Sequence, residues 1–226
     1  MGRIVTTFVL FGFLSACSST NWEDAKSPEE VYSAIIKLVK DEDYFEAREA
    51  ISSLKRRFPQ SRFVKRADLR LADVEFAEDN FTEAAAVYGV FVDLHPKDEE
   101  ADYALFRKAL SFFNDSPSKI ARDQGSCSDA VVAAKRLIQR YPASTHRKET
   151  QEIIFKSRYK LAQKEAYVAK FYEKKDKNLA AKRRWLYLLS EYADLEDSPN
   201  DDAKKLIKKA KEKVAAYAKI KAKEGS

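Results

Sequence analysis

An all-α solenoid, helix pairs stacked one on the next, is the fold this sequence predicts, and three observations predict it. The first is a register: moving back 37 residues from Ala72, Phe81, Ala84 and Pro96 lands on Ile35, Tyr44, Ala47 and Pro59. The second is composition: only 5 Gly and 6 Pro in 226 residues, with 35% charged, leave long stretches uninterrupted by helix breakers. The third is that no window alternates apolar and polar residues between turn clusters, as the strands of a sheet would.

The reference unit runs from Ala67 to Pro96. Its first helix carries Leu71 and Ala72 and ends near Asp79 and Asn80. Its second opens at Phe81, adds Ala84, Tyr88 and Phe91, and stops at His95 before Pro96. Small residues at 72 and 84 let two helix backbones approach, an aromatic fills the turn, and proline, lacking an amide hydrogen, closes the unit. This is the tetratricopeptide (TPR) pattern, and such a unit needs neighbours to bury its apolar face. Its copies give about five TPR-like helix pairs.

The first copy begins at Ser27-Pro28-Glu29-Glu30, with Ser as N-cap, Pro at the first helical position and Glu three residues after the cap. Paired helices follow at roughly 29–41 with 44–58, 62–78 with 81–95, and 99–114 with 129–141. In the third unit Ala72 maps to Ala109 at 37 residues, but Ala84 to Ala130 and Pro96 to Pro142 are both 46. Nine extra residues therefore sit in that unit's turn, around Ser116 to Ser128. The fourth unit carries Ala169, Tyr172, Ala181, Leu188 and Tyr192. From closing proline to inner alanine takes 13 residues earlier (59 to 72) but 27 here (142 to 169), so 14 surplus residues extend its first helix. With no Gly or Pro from 146 to 175, one helix over that span is expected, about 21 Å longer than its counterparts. Its partner covers about 179–192. A last helix from Ser198-Pro199 towards Glu224, striped by Leu206, Ile207, Ala210, Val214 and Tyr217, caps the array.

Residues 1–16 stand apart. Arg3 precedes the largely apolar run Ile4 to Leu14, too short to span a bilayer, which needs about 20 residues, but suited to a signal-peptide core. Leu14-Ser15-Ala16-Cys17 resembles a bacterial lipoprotein signal. On that resemblance Cys17 receives a diacylglycerol and an N-acyl chain, and Ser18 beside it directs the protein to the outer membrane. Residues 17–27 form the tether. Acylation of Cys17 leaves Cys127 as the sole thiol, so no internal disulfide forms.

Charge divides the chain. Residues 18–100 hold 12 Lys/Arg against 19 Asp/Glu, a net −7, whereas 146–192 hold 13 against 6, a net +7. Two surfaces for two partners follow, residues 28–142 forming the N-terminal units and 143–226 the basic C-terminal units and cap. The first helix of each TPR pair lines a concave face. The register places Tyr32, Ile36 and Val39, then Arg66, Leu69, Asp73 and Phe76, then Tyr103, Phe106, Leu110 and Phe113 there. Tyr32, Phe76, Tyr103 and Phe106 are the favoured anchors for an extended peptide. No catalytic constellation is present: His95 fills the slot held by Phe58, Tyr141 and Tyr192, and His146 has no ligand-spaced Cys or carboxylate pair. Nor is there a nucleophile elbow, an HExxH stretch or a phosphate-cradling loop. A non-enzymatic role, with no cofactor beyond the acyl chains, is expected.

The run Leu161-Ala162-Gln163-Lys164-Glu165-Ala166-Tyr167-Val168-Ala169-Lys170-Phe171-Tyr172 resembles the BamD family, the TPR lipoproteins of the outer-membrane β-barrel assembly (BAM) machinery. Arg140-Tyr141-Pro142-Ala143-Ser144 and Arg122-Asp123 fit it too. The resemblance implies a scaffold on the periplasmic face of the outer membrane, without a nucleic-acid partner. Its basic C-terminal units would dock a POTRA domain of the barrel-forming subunit BamA through Arg184, with Arg183 beside it as a second candidate. Its N-terminal groove, Tyr32, Leu69, Asp73, Phe76, Tyr103, Phe106 and Phe113, would meet unfolded outer-membrane proteins through a C-terminal aromatic signal. Tyr192-Ala193 replaces the family's Tyr-Pro. The alternative reading is a periplasmic TPR adaptor for cell-envelope or division proteins, and a third is an anionic-lipid binder using the Lys-rich end.

Overall fold

The computed structural model describes residues 22–224. The expected signal peptide, Cys17 and the first part of the expected tether lie outside the described residues. Among the described residues there is no strand, and nine α-helices follow one another. They are α1 (Pro28–Lys40), α2 (Tyr44–Arg57), α3 (Phe63–Ala77), α4 (Phe81–Leu94), α5 (Ala101–Asp115), α6 (Gly125–Arg140), α7 (Arg147–Glu173), α8 (Asn178–Tyr192) and α9 (Asp201–Glu224), with a 3₁₀ turn over Ala193–Asp197. Each helix packs on the next in sequence, and α1 also touches α3, as α5 touches α7. Among the described residues the helices form an α-solenoid of four complete TPR-like pairs, with α9, the ninth helix, standing alone in the place of a fifth unit.

The alanines found by register hold the pairs together. Ala72, Ala84, Ala109 and Ala130 are all fully buried in one apolar cluster with Tyr88, Leu105 and Leu137. Ile35 and Ala47 are buried in a cluster formed by α1–α3, and Ala169 lies in a third formed by α7–α9.

Helix ends repeat as faithfully as helix faces. Glu42, Asp79 and Asp176 have φ of 62°, 60° and 56°, the left-handed conformation that ends a helix in a Schellman-type turn. The matching amide bonds are Asp43 N–H to Leu38 O, Asn80 N–H to Glu75 O and Lys177 N–H to Tyr172 O, at 2.9, 2.9 and 3.0 Å. At the other end of each pair Phe58, His95 and Tyr141 share φ near −130°, with ψ of 56°, 54° and 67°. Each precedes a proline, whose ring disfavours the helical conformation of the residue before it. Tyr192 precedes Ala193 instead, and there the chain runs on into the 3₁₀ turn.

The third unit departs from the expected boundaries. Helix α6 starts at Gly125, four residues before the expected 129, so the insert is 116–124. Gln124 is the reason: its side chain is buried and its amide donates to the carbonyls of Pro117, Lys119 and Arg122 at 3.2, 3.3 and 3.5 Å, folding the loop over itself. Asp123 accepts the Gly125 N–H at 3.0 Å, and Cys127 is a fully buried residue of the first turn of α6. The long α7 braces this insert from the other side. Lys160 Nζ donates to Ser116 O and Oγ at 3.2 and 2.6 Å, and Lys164 Nζ to the carbonyls of Ala121 and Arg122 at 2.7 and 3.0 Å. At 27 residues α7 is about 40 Å long, contributing Ile153 to the central cluster and Ala162, Ala166 and Ala169 to the C-terminal one.

One further boundary differs. The final helix starts at Asp201, because Ser198 Oγ donates back to Leu195 O at 2.7 Å while Asn200 Oδ1 caps Ala203 N–H at 2.9 Å. The described end of the tether is docked: the Trp22 indole donates to Glu46 at 3.1 Å, and Arg57 donates to the carbonyls of Trp22, Glu23 and Ala25.

Glu173 is where the last three helices meet. It accepts hydrogen bonds from Trp185 Nε1 at 2.9 Å, Tyr217 Oη at 3.1 Å and Lys213 Nζ at 3.2 Å. Burial alone would raise its pKa, but these three donors hold it below the usual carboxylate range. A depressed folded pKa contributes stability that is present above the unfolded value near 4.3 and lost as pH falls through the folded one. Glu173→Ala is therefore expected to destabilise the C-terminal units by about 1.5–3 kcal/mol at pH 7. Urea titrations at pH 7 and pH 3 check this: the gap between variant and parent should narrow at the lower pH.

Candidate functional site

On the concave side, α3 and α5 bring polar and aromatic side chains together. Three cations of α3 pair with the acidic run that leads into α5: Lys65 with Asp98, Arg66 with Glu99, and Arg70 with Glu100. Arg70 Nε also lies 3.2 Å from Asp73 Oδ2. The other oxygen of Asp73 accepts from Tyr88 Oη at 2.6 Å and Tyr103 Oη at 2.7 Å. Burial pushes both phenols well above their ordinary pKa, and the Asp73 charge pushes them further in the same direction.

Arg107 reaches in from α5. Its guanidinium lies over the Phe76 ring, 3.8 Å from the centroid, and its Nε donates to Tyr88 Oη at 3.2 Å. Next to it, Phe106 stacks on His146 with centroids 4.7 Å apart and planes 3° from parallel, while Tyr103 meets the same imidazole at 5.8 Å. His146 thus closes one end of an aromatic wall.

The expected groove residues divide in consequence. Phe76, Tyr103 and Phe106 are half-buried and keep part of their surface open, the first two beside the Arg107 guanidinium and Phe106 against His146. Tyr32 stands further along, against Phe63 at 5.1 Å, and Phe113 lies under Lys160 at 5.6 Å. Leu69 does not line the groove: it is fully buried in the central cluster, because α3 is rotated so that 69 follows the same inward face as 72. Asp73 is only 12% exposed and its oxygens are engaged by two hydroxyls and a guanidinium, so it organises the groove from beneath. Sequence reasoning passed over Arg107 and His146. A signal for the first was available, since Arg70 and Arg107 are 37 residues apart and occupy equivalent repeat positions.

The basic surface sits on α8. Trp185 is fully buried, which turns Arg183 and Arg184 outward. Arg184 Nη1 lies 3.1 Å from Glu165 Oε2 on α7 and keeps 45% of its side chain exposed. Arg183 is exposed and has no carboxylate partner among the described residues. Both line an open hollow of about 800 Å³ with Tyr172, Lys177 and Leu179. Leu179, Leu186 and Tyr187 on α8, and Tyr167 and Phe171 on α7, add exposed apolar surface. Cations beside uncovered aromatic and aliphatic groups are the composition of a protein-binding face.

A family model described as outer membrane lipoprotein, YfiO, matches residues 24–223. The outer membrane protein assembly factor BamD of Neisseria gonorrhoeae is 29% identical over 208 residues, covering 85% of this chain and 78% of that one. The BamD of Pasteurella multocida is 23% identical over 210 residues, covering 89% and 80%. A tetratricopeptide repeat protein from Parabacteroides merdae superposes with a TM-score of 0.43 at 15% identity, over 88% of this chain and 77% of that one.

Raised phenol pKa values make the buried tyrosines a stabilising set that is intact below the unfolded phenol's pKa, about 10, and is lost as pH rises above it. Urea midpoints measured from pH 8 to pH 11 should fall more steeply for the parent than for a Tyr88→Phe/Tyr103→Phe variant, which has lost those two titrations.

Proposed function

The chain belongs to the YfiO family of outer membrane lipoproteins, and from that premise we propose that it is a non-catalytic scaffold for outer-membrane protein assembly. The observation that carries the reading is the separation of two unlike faces on one continuous array of packed helices. One is a concave groove walled by Phe76, Tyr103 and Phe106 in the acidic half, and the other is the outward face of α8 with Arg183 and Arg184 in the basic half. A groove of half-buried aromatics over an internally paired charge network suits an extended apolar-aromatic peptide, such as the terminal signal of an unfolded β-barrel protein. The α8 face suits an acidic folded domain, and a POTRA domain of a BamA-like barrel protein is the partner assigned to it. Positive charge there steers the approach, and Leu186 and Tyr187 supply contact area.

The continuous α7 is what keeps the two faces in fixed relation, since it packs in both the central and the C-terminal cluster. Acylation at Cys17 would hold this scaffold on the outer membrane, at its periplasmic face. Among the described residues no helix is long and apolar enough to cross a membrane.

Two experiments test this. Arg184→Glu also sets a second carboxylate against Glu165, and it should abolish co-purification with the POTRA-bearing barrel protein while far-ultraviolet circular dichroism stays unchanged. Undiminished co-purification from both Arg184→Glu and Arg183→Glu would remove α8 as the docking face. Cys17→Ala should abolish incorporation of labelled palmitate and shift the protein from the membrane to the soluble periplasmic fraction.

A further inference from the structure

Among the described residues, Arg107 on the concave face is a cation whose charge no carboxylate meets. Arg66 is paired with Glu99, and Arg70 with Asp73 and Glu100. Arg107 sits at the same repeat position as Arg70, one unit on, yet among the described residues it makes no ion pair. Its Nε is satisfied by the Tyr88 hydroxyl, which itself donates to Asp73, so the nearest carboxylate is engaged through other donors. Among the described residues the two terminal nitrogens of Arg107 have no hydrogen-bond partner.

Geometry tells what those nitrogens suit. The Arg107 guanidinium carbon lies 3.8 Å from the Phe76 ring centroid, and a guanidinium held over a ring face keeps its terminal donors free for a carboxylate, which accepts them through two parallel bonds. Tyr103 lies beside it, 5.8 Å from guanidinium carbon to ring centroid, and Phe106 with His146 extends the wall. An anion bound here has an aromatic surface within one residue's reach.

We propose that Arg107 is the carboxylate-binding residue of the groove, taking a peptide carboxylate while Tyr103 and Phe106 hold the aromatic side chain next to it. The inference rests on the reading of the concave face as a peptide groove and names the chemistry by which it selects. Such a carboxylate is either the chain end of the peptide or an acidic side chain close to an aromatic one. The same charge-assisted contact recognises both, and a peptide offering neither leaves the stacked cation unpaired.

The test uses the full-length protein purified from membranes in detergent and fluorescently labelled peptides read by anisotropy. Three probes are compared: a peptide ending in phenylalanine with a free carboxylate, the same peptide as its terminal amide, and the amide carrying an internal glutamate beside the aromatic residue. The free acid should bind at least tenfold more tightly than the amide. Arg107→Gln should erase that ratio, and Arg107→Lys, which keeps the charge but not the fork, should retain part of it. If only the internal glutamate restores affinity to the amide, and Arg107→Gln cancels the gain, the carboxylate comes from a side chain and the proposal stands. The acid-to-amide ratio on the parent protein needs no variant, so a poorly folding Arg107→Gln leaves the test intact. Equal binding of all three probes, lost in Phe106→Ala, would overturn the role of Arg107 and keep the groove. No binding of any probe would overturn the groove reading and this inference with it.

Discussion

Close approach of helix backbones at alanine is the constraint on which the rest of this structure depends. Ala72 and Ala84, twelve residues apart, are both without exposed surface, and so are Ala109 and Ala130 in the next unit. A methyl group at the crossing lets two helices meet near the short end of the usual 8–10 Å interaxial range, so larger neighbours such as Tyr88, Leu105 and Leu137 fill the space on either side. Each pair leaves one apolar face open, and only the next pair can cover it. That requirement makes the array continuous and gives it two ends with different surfaces.

The irregular third and fourth units are one feature seen twice. Nine residues inserted between α5 and α6 would leave a loop with many unsatisfied carbonyls. Gln124 reaches the carbonyls of Pro117, Lys119 and Arg122 from within, and Lys160 and Lys164 reach those of Ser116, Ala121 and again Arg122 from α7. Those lysines are available because α7 runs on beyond the length of α1, α3 and α5. The longer helix therefore supports the insert, and the same length carries it from the central cluster into the C-terminal one.

Electrostatics in the groove follow from internal pairing more than from net charge. The N-terminal half is acidic by composition, yet Asp98, Glu99 and Glu100 are consumed by three cations of α3, which lock the second unit to the third. Burial would raise the Asp98 pKa, but the Lys65 ammonium and the Glu100 N–H, both donating to it, hold it below the usual range. The face offered to a ligand is thus aromatic, with Arg107 on it unmatched by any carboxylate among the described residues. On α8 the arrangement is reversed: Arg184 pairs across to α7 and Arg183 has no carboxylate partner among the described residues, with apolar side chains uncovered beside them.

Repetition is what the sequence by itself determined. A 37-residue register, the prolines that close three units and the low glycine content specify paired helices, their order and the lengthened α7, because these are local demands of backbone geometry and helix faces. It also located Phe76, Tyr103 and Phe106 on a surface, since a residue's face follows from its offset to the inner alanine, whereas Arg183 and Arg184 are marked only by the resemblance to a family. Tertiary structure alone decided which of those side chains remain available. Leu69 turns inward, Asp73 is bound by hydroxyls from α4 and α5, and Arg107 stands stacked but unpaired. The partners responsible lie on other helices, 15 to 30 residues away for Asp73 and 31 for the ring beneath Arg107, and no local pattern records a contact made across such a distance.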